Sequence, residues 1–165
     1  RGNSIGFVFQ QFHLIPHLTA LGNVSTALLY RELTKPEIRE RSLAALEMVG
    51  LGGRYDHRPI EMSGGEQQRV AIARALVTDP LMILADEPTG ALDTKTATIV
   101  MEIFKNLQSE NRAIVLVTHD LEIAEQMDRV VSMRDGKIVA DDLRSERTDA
   151  LEDRFWEAGK DGKLE

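Results

Sequence analysis

The sequence contains no cysteine, which excludes a disulfide framework and any metal site built on thiolates. This fits a reducing compartment such as the cytosol, though many secreted chains also lack the residue. No apolar run approaches the ~18 residues needed to cross a bilayer. No basic-then-apolar signal segment opens the chain. An excess of basic charge is missing too. The net charge is −7, which argues against a general nucleic-acid-binding surface. Nine acids against five bases from Asp141 to Glu165 supply −4 of it. What remains is ordinary for a globular domain: 165 residues, 42% hydrophobic and 28% charged. The first residue is Arg1 rather than methionine, which suggests a piece of a longer protein.

The patterning alternates strand and helix. Ile5-Gly6-Phe7-Val8-Phe9 reads as a buried strand, followed by a loop from Gln10 to Thr19 that contains Pro16. From Ala20 to Leu51 the periodicity is helical, with Pro36 at a helix start and Ile38, Ala45, Leu46 and Val49 on one face; Gly50, Gly52 and Gly53 close it. A further helix is expected over Gly65–Val77, stopped by Asp79-Pro80. Leu81 to Ala85 is uniformly apolar, as expected of a strand covered on both faces. A helix over Thr94–Gln108, a second buried strand over Ala113–Val117, and a hairpin around Asp135-Gly136 complete the series. A short amphipathic helix is expected near Leu151–Trp156. The fold class is therefore α/β, a mainly parallel sheet flanked by helices, with a C-terminal β-hairpin. Residues 1–19 form a core strand and loop, 20–61 a small helical subdomain, 62–140 the remaining core, and 141–165 a polar tail.

Two blocks carry the clearest chemistry. Asp86 and Glu87 follow a buried strand directly, and open α/β sheets bind ligands at the carboxyl ends of their strands. Asp86 suits a magnesium ion, which prefers oxygen donors; Glu87 suits the orientation of an attacking water. A helix-capping pair of acids would look the same in isolation, but the buried strand before it and Pro88-Thr89-Gly90 after it favour a site. Ser63-Gly64-Gly65 precedes a helix, where free N–H groups and the dipole attract an anion; taken alone it is equally an N-cap with flexible glycines. His119 follows the second buried strand in the same way, although a single histidine is more often structural. Gln10 ends the first strand and has the length to reach inward. His13 and His17 flank Pro16, which speaks against a shared helical face and a metal pair, and His57 reads as surface.

In this order the pieces resemble the ATP-binding subunit of ABC transporters from about Ile5 to Ala140. Val8-Phe9-Gln10 looks like the Q-loop, Met62 to Glu66 like the signature motif, and Leu81 to Glu87 like the Walker B strand. Ala91-Leu92-Asp93 resembles the D-loop and Val117 to Asp120 the switch-histidine segment. Met62 stands where leucine is usual. The resemblance implies a P-loop NTPase-like fold with ATP and Mg²⁺ as cofactors. Asp86 and Gln10 would meet the metal, Glu87 would be the base, and His119 would touch the γ-phosphate. Ser63, Gly64 and Gly65, with Glu66, would clamp the nucleotide of a second ATPase subunit in a head-to-tail dimer, and Asp93 would lie at that interface. It also implies transmembrane permease partners, reached through the Q-loop and helical subdomain, and a place on the cytoplasmic face of the membrane. Gln11 to Pro16 and Ala85 to Asp93 are worded like the lipoprotein-release, macrolide-export and antimicrobial-peptide-resistance branch.

One departure stands out. No Gly-x-x-x-x-Gly-Lys-Ser/Thr run occurs; in the family it would precede Arg1, so this chain by itself is expected to bind ATP poorly and to be inactive. Two other readings compete. A soluble ABC-type ATPase would typically carry tandem cassettes or coiled coils, whereas Gln10 and Ser63 are only 53 positions apart. A regulator without ATPase activity would explain the missing loop, but would leave Asp86, Glu87 and His119 without a purpose.

Overall fold

Three apolar pentapeptides pair as one parallel sheet. In the computed structural model, which describes residues 5–109 and 112–146, these strands are β1 (Ile5–Phe9), β2 (Met82–Asp86) and β3 (Ala113–Val117), in the order β1-β2-β3. The chain divides into two compact units, Arg1–Val117 and Thr118–Glu165, and the sheet belongs to the first. Its register aligns Phe9 with Asp86 and Asp86 with Val117, so all three strands end at one edge.

Among the described residues the sheet is covered more fully on one face than on the other: the two-sided cover expected of β2 is not met at Met82, which is exposed, and only partly met at Leu84, which is half-buried. Gly6, Val8, Ile83 and Ala85 are buried, while Ile5, Phe7, Phe9, Val115 and Val117, on the opposite face, are between 41% and 51% exposed. The cause is the handedness of parallel connections. Successive right-handed crossovers carry their helices to the same side, so among the described residues both large helices of the sheet pack on one face. Uniform apolarity in a strand therefore did not report two-sided burial here.

Those helices are α3 (Gly64–Leu76) and α4 (Thr94–Ser109). The helical region before them contains α1 (Ala20–Ser25) and α2 (Lys35–Met48). Each start has a local cause. Thr19 caps α1 by accepting from the Gly22 N–H at 3.1 Å. Thr34 and Glu37 form a capping box on α2 with Pro36 in its first turn. The expected face of α2 is realised, since Ala45, Leu46 and Val49 are buried beside Ser42. Gly50 ends it at φ 71, a conformation glycine adopts without strain. Gly52 and Gly53 open a separate 3₁₀ turn, Gly52–Arg54, rather than closing the helix.

The sharpest packing constraint lies between α3 and α4. A Cβ on Gly65 would sit 2.0 Å from the Thr96 Cγ2, so no side chain fits at 65 while the Thr96 methyl keeps its place. Gly65 is buried in that contact, and tight packing alone is enough to require a glycine here.

The second unit contains α5 (Leu121–Glu125) and the hairpin β4 (Arg129–Arg134) with β5 (Lys137–Leu143). Asp135 at φ 49 and Gly136 at φ 76 make the turn with both central residues left-handed, as a two-residue hairpin loop demands. Arg129 donates to both carboxylate oxygens of Asp141 across the pair, at 2.8 and 2.6 Å. The helix expected near Leu151–Trp156 lies outside the described residues.

Gly65→Ala should therefore destabilise the fold by about 1–3 kcal/mol through overpacking. Adding Thr96→Ser, which removes the obstructing methyl but keeps the hydroxyl, should restore most of the loss. Thermal unfolding of the single and double variants checks this.

Candidate functional site

The sheet edge brings three candidate residues together. Gln10 follows Phe9, Asp86 ends β2 and Glu87 follows it, with Phe9 and Asp86 side by side in the register. Glu87 leaves the strand at φ 44, a left-handed conformation that carries strain in any residue but glycine and persists only where its surroundings enforce it. Its N–H donates to the Val117 carbonyl at 2.8 Å and its carbonyl accepts from the Gly90 N–H at 3.1 Å. The next carbonyl, of Pro88, accepts from Gln68 Nε2 at 2.7 Å. The Gln10 amide lies over the same turn, with its Nε2 2.9 Å from where a Gly90 Cβ would stand. Asp86 is exposed and Glu87 half-buried.

These residues fit a magnesium ion in donor chemistry. Asp86 offers a carboxylate and Gln10 an amide oxygen, both hard oxygen donors. Among the described residues no three His, Asp or Glu side chains converge as a metal cage. Magnesium is usually held by one or two protein oxygens together with waters and phosphates.

A second group of residues sits at the head of α3. The Ser63 hydroxyl accepts from the Glu66 N–H at 3.3 Å and donates to Glu66 Oε2 at 3.0 Å; the Ser63 N–H donates to the same oxygen at 2.8 Å. Glu66 therefore holds Ser63 in a capping box. Hydrogen bonds from the Ser63 backbone, then from its hydroxyl, and the nearby Arg54 and Arg69 charges keep the Glu66 carboxyl below its ordinary range. Arg54 Nε faces Glu66 Oε1 at 3.1 Å as an ion pair, while its Nη2 donates to the Glu61 carbonyl at 3.0 Å and its Nη1 meets His57 Nε2 at 3.1 Å. His57, read as surface from the sequence, is half-buried, with Nδ1 enclosed and without a hydrogen-bond partner among the described residues. Its position between Arg54 and the loop leading to Ser63 draws it in.

With the Glu66 N–H engaged by Ser63, the N–H groups of Gly64 and Gly65 are those left at the helix head. Gly64 is exposed, and a Cβ there would lie 3.7 Å from Phe12 and 3.8 Å from Leu92. The head of α3 thus stands beside the loops that follow β1 and β2.

Two further candidates are Asp93 and His119. Asp93 accepts from the Thr96 N–H at 3.0 Å and from its hydroxyl at 2.7 Å, capping α4; these bonds, the hydroxyl's first, lower its carboxyl below the ordinary range. His119 belongs to the second unit, where it is exposed just before α5. Asp120 caps that helix through the N–H groups of Glu122 and Ile123.

Sequence reasoning missed the polar residues that hold the loops. Arg74 donates to the carbonyls of Phe12 and His13 at 2.9 and 2.6 Å, and burial lowers its guanidinium's proton affinity. Asn23, fully buried, accepts from the Ile15 N–H and donates to the Ile15, Leu18 and Thr19 carbonyls. Gln68 donates to Pro88 and, at 3.4 Å, to Phe9. For Gln68 a signal was present: it falls on the stripe of Gly65, Ile72 and Leu76, where a helix spacing of three and four puts it on the buried face.

The chain is similar to known proteins over most of its length. The family model described as "ABC transporter" matches residues 1–90. The uncharacterized ABC transporter ATP-binding protein YvrO of Bacillus subtilis is 52% identical over 142 residues, 86% of this chain and 62% of that protein. The macrolide export ATP-binding/permease protein MacB of Chlorobaculum tepidum is 52% identical over 141 residues, 86% of this chain but 22% of its own length. The chain thus spans roughly 60% of the length of the ATP-binding relatives it matches. Among solved structures, the ATP-binding cassette MJ0796, a dimer in a post-hydrolysis state bound to ADP and Pi, superposes with a TM-score of 0.77 at 45% identity, covering 87% of this chain and 64% of that one.

The cap at Ser63 yields a pH prediction. The Glu66 carboxyl titrates below 4.5 when folded, so its contribution is present above the unfolded value and is lost as pH falls through the folded one. Glu66→Ala should cost about 1 kcal/mol at neutral pH. The difference from wild type should shrink as melting is followed below the ordinary carboxylate range.

Proposed function

The chain belongs to the ABC transporter family, and on that premise we propose that it is the ATP-binding and ATP-hydrolysing part of a subunit that energises a transporter. The observation that carries this reading is the strained Glu87 turn beside Asp86 and Gln10 at the carboxyl edge of a parallel sheet. Phosphoryl transfer demands positioning and charge neutralisation rather than covalent chemistry, and the three residues provide an oxygen donor set next to a fixed carboxylate.

In this reading Asp86 and Gln10 hold Mg²⁺, which when bound neutralises phosphate charge. Glu87 orients the attacking water and takes its proton, a role worth roughly 10²–10⁴-fold in rate; the enforced left-handed backbone sets the direction in which its side chain leaves the turn. His119 bonds to the γ-phosphate. Ser63 and the N–H groups of Gly64 and Gly65 grip the nucleotide of a second ATPase subunit, as a helix head grips an anion. Glu66 sets the Ser63 hydroxyl from behind rather than touching the nucleotide, and Asp93 orders the loop that faces the partner by capping α4.

ATP bonded to both halves stabilises the closed dimer by differential affinity, and hydrolysis removes the bridge. The dimeric cassette similar to this chain supports the pairing. The relatives that fuse a macrolide-export cassette to a permease support membrane partners, reached through the Gln10 loop and the helical subdomain of residues 20–61. Their macrolide-export description favours an exporter; we propose an exporter or lipid-extracting system, seated on the cytoplasmic face of the membrane.

Glu87→Gln in the complete protein should slow ATP hydrolysis at least ~100-fold while an ATP-dependent dimer accumulates on size exclusion. Turnover at the normal rate would remove Glu87 from the role of base. The 165-residue chain alone, which has no Gly-x-x-x-x-Gly-Lys-Ser/Thr run, should bind Mg-ATP far more weakly than the complete protein in calorimetry.

A further inference from the structure

We infer that Gln68 is a positioning residue for hydrolysis: one side-chain amide on α3 fixes both the turn that carries Glu87 and the strand end that leads into Gln10. The inference rests on reading Glu87 as the base.

Gln68 is 0% exposed. Its Nε2 donates to the Pro88 carbonyl at 2.7 Å and to the Phe9 carbonyl at 3.4 Å. Pro88 is the residue after Glu87, and Phe9 the residue before Gln10. Both neighbours are acceptors, so chemistry alone orients the amide with its nitrogen toward them. A neutral amide nitrogen supplies two N–H donors from one atom. Glutamate at 68 would present a carboxylate to two carbonyls, and methionine would present no donor.

The opposite end of the side chain shows what the position favours. Gln68 Oε1 is buried with no hydrogen-bond partner among the described residues, and an orphaned acceptor is destabilising. Packing alone would favour an apolar residue in a stripe with Gly65, Ile72 and Leu76, so the donor is what the position retains.

The turn it holds needs holding. Glu87 sits at φ 44, and its own N–H and carbonyl are tied to Val117 and Gly90. Pro88 has no N–H, so its carbonyl is the only backbone group by which it can be hydrogen-bonded, and Gln68 is its donor. The same helix begins five residues earlier at Ser63. The element proposed to grip the partner's nucleotide therefore carries the side chain that sets its own subunit's hydrolytic turn, which joins the two sites rigidly through one helix.

The test uses the complete protein with Gln68→Met, which keeps length and volume but removes the donor. It should lower kcat by about 10–100-fold while KM for ATP stays within about threefold. Gln68→Glu gives the readout that general loosening cannot produce. Ionised, it repels both carbonyls; protonated, it donates one O–H, so its rate relative to wild type at the same pH should rise on acidification. Gln68→Met with kcat within about twofold of wild type, or Gln68→Glu with no recovery at acid pH, overturns the inference. Glu87→Gln assayed alongside keeps the two readings apart. Slow Glu87→Gln with unaffected Gln68→Met refutes only the role of Gln68, whereas normal turnover by Glu87→Gln refutes the base itself. If neither Gln68 variant folds, NMR of the wild-type protein decides: slow solvent exchange of the Gln68 carboxamide protons supports the clamp, and rapid exchange overturns it.

Discussion

The burial of α3 is the constraint on which the other elements depend. Its apolar residues Val70, Ala71, Ile72, Ala73 and Leu76 are in the core, while its polar side chains reach outward to the carbonyls of surrounding segments. Gln67 donates to Pro59 and Met62, Gln68 to Phe9 and Pro88, Arg69 to Val49, and Arg74 to Phe12 and His13. Loops otherwise lack internal partners for their backbone groups, and buried carbonyls are paired almost without exception. One helix thus serves as the acceptor-satisfying frame for the loops that carry Gln10, Ser63 and Glu87.

This arrangement explains why a run of polar residues belongs in a buried helix. A helix buried for hydrophobic reasons alone would present leucine or isoleucine at every inward position. Here the inward stripe is interrupted by glutamine, and the flanks carry arginine and glutamine, because at those positions α3 meets the backbone carbonyls of loops and element ends. Gly65 adds the opposite requirement. At that point α3 approaches α4 so closely that a methyl at 65 would strike the Thr96 side chain. The glycines of the Ser63-Gly64-Gly65 head therefore have separate roles: Gly64 is open to solvent, while Gly65 is sealed against Thr96.

Strain is concentrated where the proposed chemistry is. Glu87 adopts a left-handed backbone between a strand and a proline, and one hydrogen bond within the turn, from Gly90, together with two to separate parts of the first unit, Val117 and Gln68, over-determine it. Such strain persists only when the surrounding structure enforces it, and the result is a carboxylate whose backbone cannot relax. The Asp135-Gly136 turn, also left-handed at both residues, is different in kind, since there the twist of the hairpin strands requires the conformation.

How much was legible in the sequence follows the range of each interaction. The helix start at Pro36, the cap at Ser63, the strands, the Asp135-Gly136 turn and the acid pair after β2 were all visible, because capping, periodicity and turn chemistry act within a few residues. The two-sided burial expected for β2 is incomplete among the described residues, because apolarity reports that a strand avoids water and not which elements arrive to cover it. The role of Gln68 could be suspected from its place on an apolar stripe, but not its partners, which are 59 and 20 residues away. The sequence by itself determined the elements and the order of the chemical groups. Only the tertiary structure decided that Phe9, Asp86 and Val117 end together and that Gly65 meets Thr96, because parallel register and helix contact join segments distant in the chain.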